Sequence, residues 1–198
     1  MKGIKEILKF LKPWAGAVVV VAVLHFTGLL SSISFLAQSA ILQTGLMNAS
    51  VELPEETIAF DYDFTIKDLN GNRVEFSQFK DKVIFLNLWA TWCGPCRAEM
   101  PTIQKLYDKM KDDPNVQFVM LSLDKDNDLP KVVRYLKDKN YTFSGYMPSG
   151  YLTQQLNVPS IPTTFVISKK GNVVAKEVGT TNFNTDKFYK FLKAEADK

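Results

Sequence analysis

Cysteine and histidine are scarce in this chain, which has two of the first and one of the second among its 198 residues. Two cysteines cannot build a disulfide scaffold, and a chain of this size does not need one. A structural zinc site takes about four Cys or His ligands. The composition cannot supply them, and the lone His25 lies inside an apolar stretch. It reads as a residue tolerated there or packed in a helix contact, not as a ligand. Neither cysteine sits in a small-residue setting near the N-terminus, which argues against a lipid anchor. No metal and no cofactor are implied. Charge is also missing from one long stretch, since residues 13–51 contain no Lys, Arg, Asp or Glu. Before the gap stand Lys2, Lys5, Lys9 and Lys12 against Glu6; after it, 20 basic and 20 acidic side chains cancel. The net charge of +3 therefore belongs to the first twelve residues. A neutral body without an arginine cluster lacks the concentrated basic face that phosphate binding needs, so no nucleic-acid partner is expected.

The uncharged stretch opens with Pro13 to Leu30, PWAGAVVVVAVLHFTGLL, and stays patchily apolar to Ala37. Helices of 18 and 25 residues measure roughly 27 and 37 Å, against a hydrocarbon core of about 30 Å. Trp14 stands where an interfacial aromatic belongs, and the preceding lysines mark a cytoplasmic side. The expected organisation is a basic N-terminus over 1–12, a single-pass signal-anchor over 13–37, a linker over 38–57 and an extracytoplasmic domain over 58–198. The alternative is a cleaved secretory signal ending at Ala37-Gln38-Ser39, but such apolar regions run to only about 7–15 residues. Within 38–59, Ile41, Leu42, Gly45 and Leu46 suggest a second amphipathic stretch ahead of a linker with Pro54.

The body alternates strand and helix patterns. Tyr62–Lys67 and Arg73–Phe76 flank Asn70-Gly71, a hairpin signal. Val83–Ala90 is nearly all apolar and of strand length, as a central strand covered on both faces would be. A helix is predicted from Gly94 to Lys111, kinked at Pro101, with Ile103, Leu106, Tyr107 and Met110 on one face. Then come a strand at Val116–Leu123, a helix at Leu129–Asp138, a short helix around Gly150–Leu156, a hairpin of Thr163–Ile167 with Val173–Val178, and a helix at Thr185–Ala194. This order describes an α/β protein: a central mixed sheet with helices on both faces and an additional N-terminal hairpin.

The sequence Trp92-Cys93-Gly94-Pro95-Cys96 falls where a buried strand gives way to a helix. The unpaired N–H groups and macrodipole of a helix N-terminus stabilise an anion, here a Cys93 thiolate. Pro95 suits the first turn because it lacks an N–H. Cys96 lies one turn on, within reach of a mixed disulfide at Cys93. A purely structural disulfide is a poor reading, since so short a loop removes little chain entropy.

Asn87-Leu88-Trp89-Ala90-Thr91-Trp92-Cys93-Gly94-Pro95-Cys96, with Ile161-Pro162-Thr163 further on, resembles the thioredoxin superfamily. The basic start and apolar anchor, the Leu69-Asn70-Gly71 hairpin, Glu99 and Pro162-Thr163-Thr164-Phe165 resemble its TlpA/ResA branch of membrane-anchored proteins. The likeness covers about residues 58–196 and is specific for fold more than for substrate. It implies a thioredoxin-like fold and a thiol-disulfide oxidoreductase with a redox-active Cys93–Cys96 disulfide. Cys93 would attack and Cys96 resolve. Pro162 matches the family's cis-proline and, with Ile161 and Trp92, would meet the substrate chain. Glu99 matches an acid that could move a proton near the second cysteine. The family's buried Asp beneath the cysteines is Asn87 here, which leaves Glu99 as the carboxylate of interest. Trp89 reads as structural and Pro159 as a loop residue. The implied partners are protein thiols and disulfides, with a transmembrane thiol reductase as electron donor; apocytochrome c is a family-typical target. The rival readings are a disulfide-forming oxidase, a peroxidase and a binding module with little turnover. The short Lys125–Tyr146 region leaves little room for an oxidase's inserted helical domain, and the peroxidase pattern around Cys93 is missing.

Overall fold

The structure is a computed structural model that describes residues 16–23, 37, 40–42, 44, 45, 47–49 and 58–198. Eight strands form one mixed sheet: β1 (Ile58–Ala59), β2 (Thr65–Asp68), β3 (Arg73–Glu75), β4 (Val83–Trp89), β5 (Val116–Ser122), β6 (Gly145–Pro148), β7 (Thr163–Ile167) and β8 (Asn172–Val178). Their order across the sheet is β1-β8-β7-β4-β5-β6-β2-β3. Three α-helices, α1 (Gly94–Met110), α2 (Leu129–Asp138) and α3 (Asp186–Ala196), complete the body. This is the thioredoxin-like arrangement expected from the motif order.

β4 is central because it can be buried on every side. It pairs in parallel with β5 and antiparallel with β7, and all seven of its residues are buried. Side chains alternate along a strand, so Val83, Phe85, Asn87 and Trp89 point to one face and Ile84, Leu86 and Leu88 to the other. The first face carries the core made with Ile103 and Leu106 of α1, Val132 and Leu136 of α2, and Phe188 and Leu192 of α3. The second carries Phe60, Phe64, Phe76, Phe79 and Leu156, with Phe64 stacked on Phe76 at 4.4 Å between centroids.

That division corrects the expectation of helices on both faces. The three α-helices all bury against one face. The crossovers β4–α1–β5 and β5–α2–β6 step the same way across the sheet, and right-handed crossovers that step the same way put their helices on the same side. Two 3₁₀ turns, Phe76–Phe79 and Gln154–Leu156, and the aromatic residues before the hairpin cover the other face.

The Asn70-Gly71 hairpin forms between β2 and β3, with Gly71 at φ +86°, which glycine adopts without strain. α1 continues through Pro101 to Met110. The helix expected around Gly150–Leu156 is reduced to the 3₁₀ turn at Gln154–Leu156.

Among the described residues no helix is long and apolar enough to cross a membrane. Of the expected span over 13–37, only residues 16–23 and 37 are described; residues 16–23 are helical, and Val18, Val19, Val20, Val21 and Val23 are exposed. The rest of that span, including His25, lies outside the described residues.

Candidate functional site

The site begins where β4 ends. Asp124, buried just after β5, accepts hydrogen bonds from the Thr91 backbone N–H at 2.7 Å, the Thr91 hydroxyl at 2.5 Å and the Ser122 hydroxyl at 2.7 Å. Leu123 N–H donates to the Trp89 carbonyl at 2.7 Å. These bonds tie the turn that follows β4 to the end of its neighbour and aim the chain into α1.

Cys93 is the N-cap of α1, in extended conformation, with Pro95 in the first turn. The two cysteines are joined, Sγ–Sγ 2.09 Å. The Cys96 N–H donates to Cys93 Sγ at 3.1 Å, one of the orphan donors of a helix start aimed at sulfur. Cys93 is 5% exposed and Cys96 fully buried, while Trp92 beside them is 61% exposed. Opposite the pair, the Ile161–Pro162 peptide is cis, and the Ile161 carbonyl oxygen lies 3.8 Å from Cys93 Sγ. The structure therefore brings Trp92, Cys93, Cys96, Ile161 and Pro162 to one edge of the molecule.

Glu99 lies one turn beyond Cys96 and is buried, 1% exposed, not on the solvated face of the helix. Its Oε1 accepts from Asn87 Nδ2 at 2.8 Å and its Oε2 from the Thr181 N–H at 3.0 Å. The other Asn87 N–H donates to the Thr164 hydroxyl at 2.8 Å. Asn87 reaches the carboxyl because it lies on the helix-covered face, and Thr164 reaches Asn87 because the two are cross-strand partners in β4 and β7. Burial pushes the Glu99 carboxyl up to about 8; the Asn87 and Thr181 hydrogen bonds oppose the rise, and the charge of Glu177 adds to it. With its proton on, the group costs far less to bury than a bare carboxylate would.

Sequence reasoning named Glu99 and Asn87 but did not join them, and it missed Asp124, Thr164 and the Thr181 backbone. Asp124 is a short polar residue just after a strand, where a turn role is the ordinary reading, and Thr164 is an ordinary β-branched residue within one. Thr181 contributes only a main-chain N–H, which no side-chain pattern reveals. Among the described residues no cluster of His, Cys, Asp and Glu is arranged to hold a metal.

A thioredoxin-like sheet that starts a helix with a cysteine pair across from a cis-proline defines a class of redox proteins. The chain belongs to the Redoxin family, which it matches over residues 57–192. It is 36% identical over 117 residues to the thiol-disulfide oxidoreductase ResA of Bacillus cereus, covering 59% of this chain and 66% of that protein. It is 34% identical over 119 residues to the thioredoxin-like protein YneN of Bacillus subtilis, covering 60% of this chain and 69% of that one. The chain thus spans a little under two thirds of the ResA relative's length. Among solved structures, StoA of Bacillus subtilis superposes with a TM-score of 0.52 at 26% identity, covering 67% of this chain and 94% of that one.

The raised Glu99 group makes stability depend on pH. Between about 4.5 and about 8 the folded protein holds a proton that the unfolded chain has lost. Glu99 therefore lends most stability at the acid end of this window and loses it as pH rises toward 8. Urea unfolding at several pH values should show Glu99→Gln flattening that decline. An identical slope in the variant would mean that Glu99 is not held protonated in the native state.

Proposed function

We propose that this protein is a thiol-disulfide oxidoreductase that reduces protein disulfides outside the cytoplasmic membrane. The observation that carries the reading is the cysteine pair at the junction of β4 and α1, facing the cis Ile161–Pro162 peptide with the more accessible sulfur outward. Its relatives of known name support the chemistry.

In the reduced protein, the Cys93 thiolate attacks one sulfur of a substrate disulfide. That S–S bond breaks, a Cys93–substrate disulfide forms, and the departing sulfur takes a proton. The Cys96 thiol then gives its proton to the ionised form of Glu99, whose share grows as pH rises toward about 8, and attacks Cys93 Sγ. The mixed bond breaks, the second substrate sulfur leaves and is protonated, and Cys93–Cys96 is closed. Two electrons and two protons have passed to the substrate. The Cys96 N–H that meets Cys93 Sγ at 3.1 Å stabilises the thiolate in this cycle. Trp92, Ile161 and Pro162 form the surface that the substrate chain meets. The pair must then be reduced again, for which a transmembrane thiol reductase is the fitting donor; protein thiols such as those of apocytochrome c are a target class.

The division of labour is tested by trapping. Cys96→Ser should accumulate mixed disulfides in cells and Cys93→Ser should not; the reverse pattern would exchange the two roles. The same cells test the anchor over residues 13–37, for which the exposed valines of the helix at 16–23 and the charge-free stretch speak. Full-length protein should stay in the membrane pellet with its domain open to external protease. Mature protein starting near Ala40 and free of the membrane would establish a cleaved signal instead.

Glu99 as proton acceptor is tested by the pH–rate profile of exchange. Glu99→Gln should slow release of the mixed disulfide by about 10²-fold and remove the rise near pH 8. An unchanged profile would leave Glu99 without a role in proton transfer.

Direction follows from potential. Gly94-Pro95 is the dipeptide of reducing thioredoxins, no His lies between the cysteines, and Arg97 follows both. Thioredoxin sits at about −270 mV and a strong periplasmic oxidant at about −120 mV, a gap of about 7 kcal/mol for two electrons. Equilibration against glutathione or dithiothreitol should place this pair at roughly −220 to −280 mV. A value above about −160 mV would favour a disulfide-forming oxidase.

A further inference from the structure

One loop, residues 179–184, touches the cis-proline, the buried acid and the N-terminal segment in turn. Gly179 N–H donates to the Pro162 carbonyl at 2.9 Å. Two residues on, Thr181 N–H donates to Glu99 Oε2 at 3.0 Å. Asn182, next in line, is held from outside the body. Its N–H donates to the Met47 carbonyl at 2.6 Å, its carbonyl accepts from Ala49 N–H at 3.1 Å, and its Nδ2 donates to Asn48 Oδ1 at 3.0 Å. Its Oδ1 accepts from Asn184 N–H at 3.1 Å. Phe183 N–H then returns to the body, donating to the Thr102 hydroxyl at 3.2 Å, which itself donates to the Glu99 carbonyl at 2.8 Å.

The N-terminal contact is a parallel bridge between Asn48 and Asn182, seated by the buried Leu42 and Ala49. A groove of about 680 Å³, bordered by Leu42, Asn48, Pro101, Thr102, Lys105 and Asn184, remains beside it. Among the described residues, the segment is fastened to the loop at Met47, Asn48 and Ala49, with open space beside it along α1.

We infer that residues 47–49 are a positioning strap: by holding the Asn182 peptide they keep Thr181 on Glu99, and so couple the state of the N-terminal segment to the redox site. Asn182 is the positioning residue through which the strap acts. The inference goes beyond the proposed reduction cycle and rests on it only for what Glu99 does there.

Asn87 from β4 and the Thr181 N–H from the loop bond Glu99, the charge of Glu177 from β8 acts on it, and Cys96 stands three residues earlier on its own helix, at neighbouring spacing. With the disulfide closed the cysteines do not titrate, so Glu99 can be followed by itself. The probe is full-length oxidised protein in detergent with ¹³C-labelled glutamate, the Glu99 carboxyl signal assigned by its loss in Glu99→Gln. Ala49→Pro deletes the N–H that binds the Asn182 carbonyl, and Asn182→Ala deletes both side-chain bonds.

Releasing the loop admits water to Glu99. Because burial is the largest influence on this carboxyl, its inflection should fall by about one pH unit. A move of half a unit or more in either direction supports the strap. Unmoved inflections in both variants overturn it; if Ala49→Pro does not fold, Asn182→Ala alone decides. A moved inflection beside an unchanged pH–rate profile for Glu99→Gln would uphold the strap and remove Glu99 from proton transfer.

Discussion

Everything at the redox edge depends on β4 being hydrogen-bonded along both sides while neither face reaches water. The strand joins β5 and β7 in fixed register, and a one-residue slip would turn every side chain to the opposite face. In the observed register Asn87 faces α1 and meets Glu99, and Phe85 meets Phe118, Phe183 and Phe188 at 4.8, 5.1 and 6.2 Å. The aromatic contacts resist the slip that the polar contact could not prevent alone. The position of Cys93 is then settled by chain length from Trp89 and by the Asp124 clasp on Thr91.

The polar contents of this core follow a consistent electrostatic logic. Asp124 is buried with three donors, two from Thr91 and one from Ser122, and Lys131 Nζ lies 3.9 Å away. Those three donors replace the hydrogen bonds that water would make to this buried side chain. Glu99 receives two donors, and the acidic Glu177 acts on it electrostatically. Burial therefore prevails and the proton is retained to about pH 8. Two buried acids are thus supplied differently, Asp124 with three donors and Glu99 with two.

Much of this was legible in advance. The strand-to-helix placement of Cys93, the Asn70-Gly71 hairpin and the helices, expected at 94–111, 129–138 and 185–194, came from periodicity and turn residues. β6 was not legible: Gly145-Tyr146-Met147-Pro148 is short and bounded by the two residues least typical of strands. Its glycine lets two leucines close in, since a Cβ there would stand 2.8 Å from a methyl of Leu136 and 3.0 Å from one of Leu69 and would push them aside. The acid at position 99 could be named, but its burial could not, because the lid over it is the backbone of a loop some eighty residues away. The seat of residues 47–49 on Asn182 escaped for the same reason: its backbone bonds leave no mark in side-chain pattern.

The departure from the family pattern at position 87 and the burial of Glu99 explain each other. Two carboxylates within hydrogen-bond reach in a dry core cannot both ionise, and they would titrate as a coupled pair. An amide at 87 removes that competition. Its two N–H groups serve Glu99 and Thr164 at once, while its Oδ1 has no hydrogen-bond partner. An unmatched buried carbonyl costs stability, so the arrangement is not the most stable one available to these strands. What the amide leaves is a single buried carboxyl one turn along the helix from Cys96, with no second acid at position 87 to share its proton.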